Sequence, residues 1–363
     1  SKTDDVEEFE FILNSLDCLE KHGECVAIVP MSCALAQSGE RLRLKEQLLS
    51  KHTLNAVFSM PDELFCNSKV GTNTCIMVFK AHTPNPKNKK TFFGYFKDDG
   101  FYKKRTKGRY DYDNKWSSIK KTWIDLYINN EEKVGVSKSI KVLATDEWCA
   151  EQYIQTDYTK LTDNMFQQTA LDYLSYYVSR GDFEAIKSFL NNREKKELNI
   201  KTWGNFNVGK LFEISLGKPI HKNSIRDCSI KNNSEYIPYV TRTTKNNGIE
   251  MYIDRGVLDN EDYIQEKNCL TIGAEGFKAF YQKNSFATGN KVNVLRSKHL
   301  NLEISLFINC VLNFEIEKKF GYGRGLVKSR VMELSIKLPK KDNQPDWQFM
   351  EDYIKSLPYS SSL

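Results

Sequence analysis

The chain has 363 residues, room for two or three domains, and its 40% hydrophobic and 28% charged residues exclude a fibrous or wholly disordered protein. A formal net charge of +6 permits a nucleic-acid partner without demanding one. No run reaches the ~18 apolar residues of a membrane helix, and Ser1-Lys2-Thr3-Asp4-Asp5 is no signal peptide, so a cytoplasmic protein without membrane contact is expected.

Val6, Phe9, Ile12, Leu13, Leu16 and Leu19 recur three or four apart and predict one apolar helix stripe. Cys25–Val29 reads as a strand buried on both faces, stopped by Pro30. A charged helix follows from Ser38 to about Ser50, then strands at Leu54–Phe58 and Asn73–Phe79. Phe92, Phe93, Tyr95 and Phe96 suggest another strand, and Lys103 to Arg109 a basic loop. Helical periodicity returns over residues 146–192, and Asn191–Lys196 is a linker candidate. After Trp203, short apolar runs at Leu211–Ile214, Tyr236–Val240, Glu250–Ile253 and Lys291–Leu295 alternate with polar loops, which predicts a β-rich domain. Nine cysteines occur without any Cys-x-x-Cys pair, so reduced thiols are expected, with neither a disulfide framework nor a metal site.

The order of elements in the first half resembles the C-terminal part of the catalytic domain of adenine-specific DNA methyltransferases from restriction–modification systems. The resemblance rests on Val29-Pro30, on Phe58-Ser59-Met60-Pro61 with Phe65, and on Val70-Gly71-Thr72-Asn73-Thr74. Gly108-Arg109 with Asp111, Trp116 and Trp123, and Glu147-Trp148 with Thr156-Asp157-Tyr158, extend it over roughly residues 1–190. The resemblance implies base flipping, with an Asn-Pro-Pro-Tyr tetrapeptide holding the adenine amine and a Gly-rich turn cradling S-adenosylmethionine. No Asn-Pro-Pro-Tyr occurs in the sequence. The expectation is a piece that starts just after the tetrapeptide, with no catalytic residues and no cofactor bound by this chain alone. Phe65 is either a core aromatic beside Leu64 or, by family position, a wall of the flipped-base pocket.

From Trp203 the chain resembles the target-recognition domain of type I specificity subunits and their fused relatives. The matching residues are Val208–Ile214 with Gly217-Lys218-Pro219, Ile237–Arg242 with Asn246–Ile249, Leu270–Gly273, Ala287–Lys291, Ile336–Pro339 and Gln344–Met350. Phe320-Gly321-Tyr322-Gly323-Arg324-Gly325 superficially matches a cofactor loop. Such a loop should follow a buried strand and open a helix, whereas this one follows polar, helix-like Asn313–Lys319 and precedes strand-like alternation at Val331, Leu334, Ile336 and Leu338. A DNA-facing or purely structural loop fits better.

DNA readers need cations for phosphates and amide or guanidinium groups for base edges. Three loops offer them: Arg242, Lys245, Asn246 and Asn247; Lys278, Tyr281, Gln282, Lys283 and Asn284, with Asn290 and Lys291 beyond; and Tyr322, Arg324, Lys328 and Arg330. Ordinary solvated loop polarity would explain any one cluster.

The expected fold class is α/β: the C-terminal half of a doubly wound methyltransferase sheet (1–135), a helical connector (136–200), a β-rich α+β target-recognition domain (201–340) and the start of a conserved helix (341–363). The expected function is sequence-specific DNA recognition within an adenine methyltransferase, the complete enzyme using S-adenosylmethionine. The alternative is a non-enzymatic specificity subunit docking on a separate methylase. Implied partners are double-stranded DNA, the catalytic methylase half or subunit, and a second copy or a nuclease or translocase subunit.

Overall fold

The computed structural model describes residues 7–62, 64–65, 71–104, 108–183, 196–225, 228–229, 235–258 and 261–358. Val6, Val70, Arg105, Ile186, Phe189 and most of the linker candidate lie outside them. The chain divides into two compact units, one of Ser1–Asp157 with Tyr322–Arg324, the other of Tyr158–Gly321 with Gly325–Leu363.

In the first unit the predicted stripe forms α1 (Glu7–Asp17), which buries Phe9, Ile12, Leu13 and Leu16. Strand β1 (Glu24–Pro30) follows, then α2 (Met31–Ala34), α3 (Gly39–Lys51), β2 (Thr53–Ser59), β3 (Thr74–Lys80) and β4 (Thr91–Tyr95). The basic stretch is a hairpin of β5 (Tyr102–Lys104) and β6 (Gly108–Tyr110), succeeded by α4 (Trp116–Ile128), β7 (Ser137–Ile140) and α5 (Ala150–Tyr153).

The sheet order is β1-β3-β2-β4-β7, parallel between β2 and β4 and antiparallel at the other pairings. On one face Leu54, Val57, Met77, Phe79 and Phe93 pack with α1, α3 and Trp148. Lys45 is buried against this cluster: its Nζ lies 4.4 Å from the Trp148 ring centroid and donates to the carbonyls of Ala36 and Asp146 at 2.9 and 2.6 Å. Burial pushes its ammonium down to about 8.

On the other face Ala56, Phe58, Val78, Phe92 and Phe96 pack with α4, where Phe96 stacks on Trp123 at 4.6 Å. This cover stops short of β1. Val26 pairs in register with Val78, so both side chains share that face, yet Val26 is 65% exposed and Ile28 58%. The expectation of a strand buried on both faces is corrected: an apolar run sets strand character, but the burial of each face depends on what packs there. Among the described residues β1 pairs only with β3, which makes it an edge.

The second unit begins with α6 (Asp163–Val178), β8 (Gly204–Asn207), α7 (Val208–Leu211), β9 (Glu213–Leu216), β10 (Cys228–Ser229), β11 (Tyr236–Val240) and β12 (Ile249–Asp254). It continues through β13 (Ile264–Gln265), β14 (Cys269–Gly273), β15 (Ala279–Gln282), β16 (Phe286–Thr288), β17 (Val292–Arg296) and α8 (Leu302–Lys319). Its last elements are α9 (Lys328–Glu333), β18 (Ser335–Leu338), the ribbon β19 (Lys340–Lys341) and β20 (Gln344–Pro345), and α10 (Trp347–Ser356). One sheet runs β10-β12-β11-β16-β13, a second β15-β14-β17-β9, and β18 pairs with β8.

Helix α8 organises this core. Asn301 caps it, its side chain accepting from the Ile304 N–H at 2.8 Å. Residues around nearly its whole circumference are buried, as for any helix apolar on all sides. Phe307 meets Phe166 of α6, Trp203 and Tyr353 of α10 with ring centroids 4.7, 5.6 and 5.8 Å apart. Sequence reading found only the polar end of this helix, because apolar residues on every side leave no periodic stripe.

No helix among the described residues is long and apolar enough to cross a membrane.

Candidate nucleic-acid interface

In the second unit, three loops converge beside the end of β11. After Val240 the chain enters a turn in which Asn246, Asn247 and Gly248 all adopt the left-handed conformation (φ 52°, 55° and 76°). Asparagine and glycine are the residues that tolerate it. The turn is closed by hydrogen bonds from the Gly248 N–H to the Lys245 carbonyl and from the Thr241 N–H to the Gly248 carbonyl, both 2.9 Å. The β14–β15 turn lies against it: a Cβ on Gly273 would sit 2.6 Å from Arg242 Cα, and one on Gly276 2.3 Å from the Arg242 carbonyl oxygen. The third loop joins through the Gly289 N–H to the Val240 carbonyl (2.8 Å) and the Ala274 N–H to the Lys291 carbonyl (3.0 Å).

This platform leaves Arg242, Lys245, Asn246, Asn290 and Lys291 exposed. Between them stands Glu275, whose carboxylate pairs with Arg242 Nη1 and lies 3.4 Å from Lys291 Nζ. Sequence reasoning missed Glu275, since an acidic residue in a loop carries none of the signals sought for DNA.

Other candidates are placed differently. Asn247 is buried, its side-chain Nδ2 donating to the Tyr281 carbonyl at 2.7 Å while its backbone carbonyl accepts from Gln282 Nε2 at 3.0 Å. Its side-chain amide ties the turn to β15 and is buried away from the exposed platform. Tyr281 is buried as well, its hydroxyl donating to Asn268 Oδ1 at 3.0 Å, and burial pushes its phenol up to about 12. Lys283 pairs with Asp182 and lies 4.3 Å from the Tyr177 ring centroid. Lys278 Nζ is 3.8 Å from an Asp172 oxygen. A cleft of about 720 Å³ between α6 and α8 carries Lys278 and Phe280 on one wall, Tyr173 and Asn309 on others, and Lys245 and Asn246 at the turn. Lys328 is exposed at the start of α9, and Arg330 Nη1 donates to the Gly325 carbonyl at 2.7 Å.

Tyr322 and Arg324 belong to the first unit. Tyr322 is 91% exposed, but Arg324 is only 4% exposed. Arg324 Nε donates to Glu147 Oε2 at 2.7 Å, and its Nη2 bonds to Gln152. Gly323 packs on Asn73, whose amide, oriented to satisfy both neighbours, donates to the Asp62 carbonyl at 3.1 Å and accepts from the Gly323 N–H at 2.7 Å. The Gly-rich segment is thus structural at Arg324, whose guanidinium neutralises a buried carboxylate and is not presented to solvent. Phe65 is half-buried in the turn after Pro61.

Near that turn an ionic group unseen in the sequence joins Ser59, Glu151, Lys97 and Asp62. Ser59 Oγ donates to Glu151 Oε2 at 2.5 Å, and Lys97 Nζ lies 3.1 Å from Glu151 and 2.6 Å from Asp62. Burial works against the Lys97 charge, but the two carboxylates overcome it and hold the ammonium above its usual range.

Two family models match the chain. N-6 DNA Methylase covers residues 2–169, and the type I restriction modification DNA specificity domain covers residues 200–358. The chain is 32% identical over 160 residues to S.BcgI, the specificity subunit of a type II restriction enzyme from Heyndrickxia coagulans, across 44% of this chain and 45% of that protein. It is 29% identical over 177 residues to RM.BcgI, a type II restriction enzyme and methyltransferase of the same organism, across 48% of this chain and 27% of that protein. The matched regions therefore span less than half of either relative. Among solved structures, the S subunit of a type I restriction-modification system from M. genitalium is similar at a TM-score of 0.32 and 10% identity, over 93% of this chain and 90% of that one, too distant a likeness to argue from. One polypeptide thus carries a segment similar to the N-6 DNA methylases, residues 2–169, followed by one similar to the type I restriction modification DNA specificity domains, residues 200–358.

Proposed function

We propose that this chain reads a specific DNA sequence for a restriction–modification adenine methyltransferase, whose methyl transfer from S-adenosylmethionine uses a catalytic tetrapeptide not found in this sequence. The observation that carries the reading is the platform in the second unit, where three loops present Arg242, Lys245, Asn246, Asn290 and Lys291 together. Lysines on such a surface neutralise phosphates. Arg242 and Asn246 have the paired donors and acceptors that distinguish purine edges in the major groove. Lys278, Lys328 and Arg330 supply further phosphate contacts, and Phe65 remains a candidate wall of the base pocket.

The first unit's uncovered strand supports a catalytic partner. An edge with Val26 and Ile28 exposed is a surface that proteins normally cover or pair. The proposed occupant is the remainder of a methyltransferase sheet. One recognition domain reads a short half-site, so a full site calls for a second domain or copy.

Selection of bound duplexes from a randomised DNA pool tests the reading. The expected result is enrichment of a short sequence containing adenine; a pool left random overturns it. Labelled S-adenosylmethionine should transfer no methyl group to DNA through this chain alone, and detectable transfer would refute the assignment of the chemistry elsewhere. The similarity to S.BcgI favours a second reading, a specificity subunit docking on a separate methylase. Restoration of transfer by an added methylase subunit would support it.

A further inference from the structure

Arg242, Glu275 and Lys291 come from three loops yet share one rigid base. Gly273 and Gly276 lie so close to the Arg242 backbone that neither position has room for a Cβ, at 2.6 and 2.3 Å. The Ala274 N–H to Lys291 carbonyl bond fixes the third loop to the same turn. Glu275, at the tip of that turn, meets Arg242 Nη1 with one carboxylate oxygen and Lys291 Nζ with the other.

Stability does not account for this arrangement. The Arg242, Glu275 and Lys291 side chains are 41%, 47% and 68% exposed, and ion pairs that open contribute little. Geometry does account for it. A free arginine side chain samples many rotamers, and bidentate recognition of guanine O6 and N7 needs its plane held. A carboxylate on one side of the guanidinium fixes that plane and leaves the other N–H groups for a base. The same negative charge repels phosphate oxygens, turning Arg242 from the backbone towards a base edge. Lys291, the most exposed of the three, is a point charge suited to phosphate.

We propose that Glu275 is a specificity-determining positioning residue, which holds Arg242 to read a guanine in the half-site. The proposal rests on the reading that the second unit binds duplex DNA. The test is selection from a randomised duplex pool with the whole chain and with its Glu275→Gln, Arg242→Lys and Lys291→Ala variants, each first checked for an unchanged denaturation midpoint. The wild-type chain should enrich a site with one G·C pair at a fixed position, preferred about tenfold or more over other pairs. Glu275→Gln and Arg242→Lys should lose the preference at that position alone. Lys291→Ala should weaken binding to all sequences alike and flatten its salt dependence. An enriched wild-type site lacking a fixed G·C pair, or a Glu275→Gln site identical to the wild-type one, overturns this proposal and leaves DNA reading intact. A wild-type pool that stays random overturns both.

Discussion

The two units finish their cores in different ways. In the second, α8 is enclosed by α6, α10 and the strands β15 and β18, so apolar side chains on every side of one helix find partners within the unit. In the first, one face of the sheet is sealed by α1, α3 and Trp148, while the other is sealed by α4 only over β2, β3 and β4. The strand at the edge keeps Val26 and Ile28 in solvent. On the proposed reading, the closed unit carries recognition in its loops and the open apolar edge takes the catalytic partner.

Mutations can break or sharpen that contrast. The largest effects belong in the enclosed cores. Phe307→Ala removes a ring with three aromatic neighbours and should destabilise the second unit by about 3–5 kcal/mol, seen as an earlier denaturant transition for that unit. If both units shifted equally, they would not unfold separately. Arg324→Ala leaves Glu147 buried without its charge partner and should destabilise the first unit by about 3–5 kcal/mol. Adding Glu147→Gln to that variant should restore part of the loss. A variant as stable as wild type but weakened in DNA binding would return Arg324 to the interface.

The open edge should behave in the opposite way. Val26→Lys and Ile28→Lys, at positions more than half exposed, should each change stability by no more than about 0.5 kcal/mol. They should nevertheless abolish capture of a catalytic methylase partner in a pull-down. A large loss of stability in either variant would mean that the face is already covered.

The smallest effect is a pH dependence. His52 is fully buried, its Nδ1 accepting from the His82 N–H at 3.1 Å. Burial first, then His82, lowers its imidazole below the usual 6.5. The unfolded chain therefore binds the proton more readily than the folded one, so stability contributed above pH 6.5 is lost as pH falls through the folded value. Denaturation midpoints of the first unit between pH 7.5 and 5.5 should fall, and His52→Gln should flatten that slope.

What could be read from the chain alone follows the range of the interactions concerned. The α1 stripe of Phe9, Ile12, Leu13 and Leu16, the helix after Ser38 and the strands at β2, β3, β11 and β17 rest on local periodicity and emerged where expected. Arg242, Lys245, Asn246, Asn290 and Lys291 were legible as loop residues of the right chemistry, and all stay exposed. Arg324 and Asn247 looked no different in sequence. Their fates depend on Glu147, 177 positions away, and on the Tyr281 carbonyl, 34 positions away. Glu275 was invisible for the same reason, because its meaning lies in two cations brought to it by other loops.

Sequence by itself therefore determined the kinds of element, their order and the passage from an α/β half to a β-rich half, since backbone periodicity and turn chemistry are written in neighbouring residues. Only the tertiary structure decided that Val26 and Ile28 stay uncovered, that Arg324 is sealed against a carboxylate, and that Arg242 stays at the surface paired with Glu275. Burial and charge pairing are set by whichever side chains the fold brings together, and those partners come from distant parts of the chain.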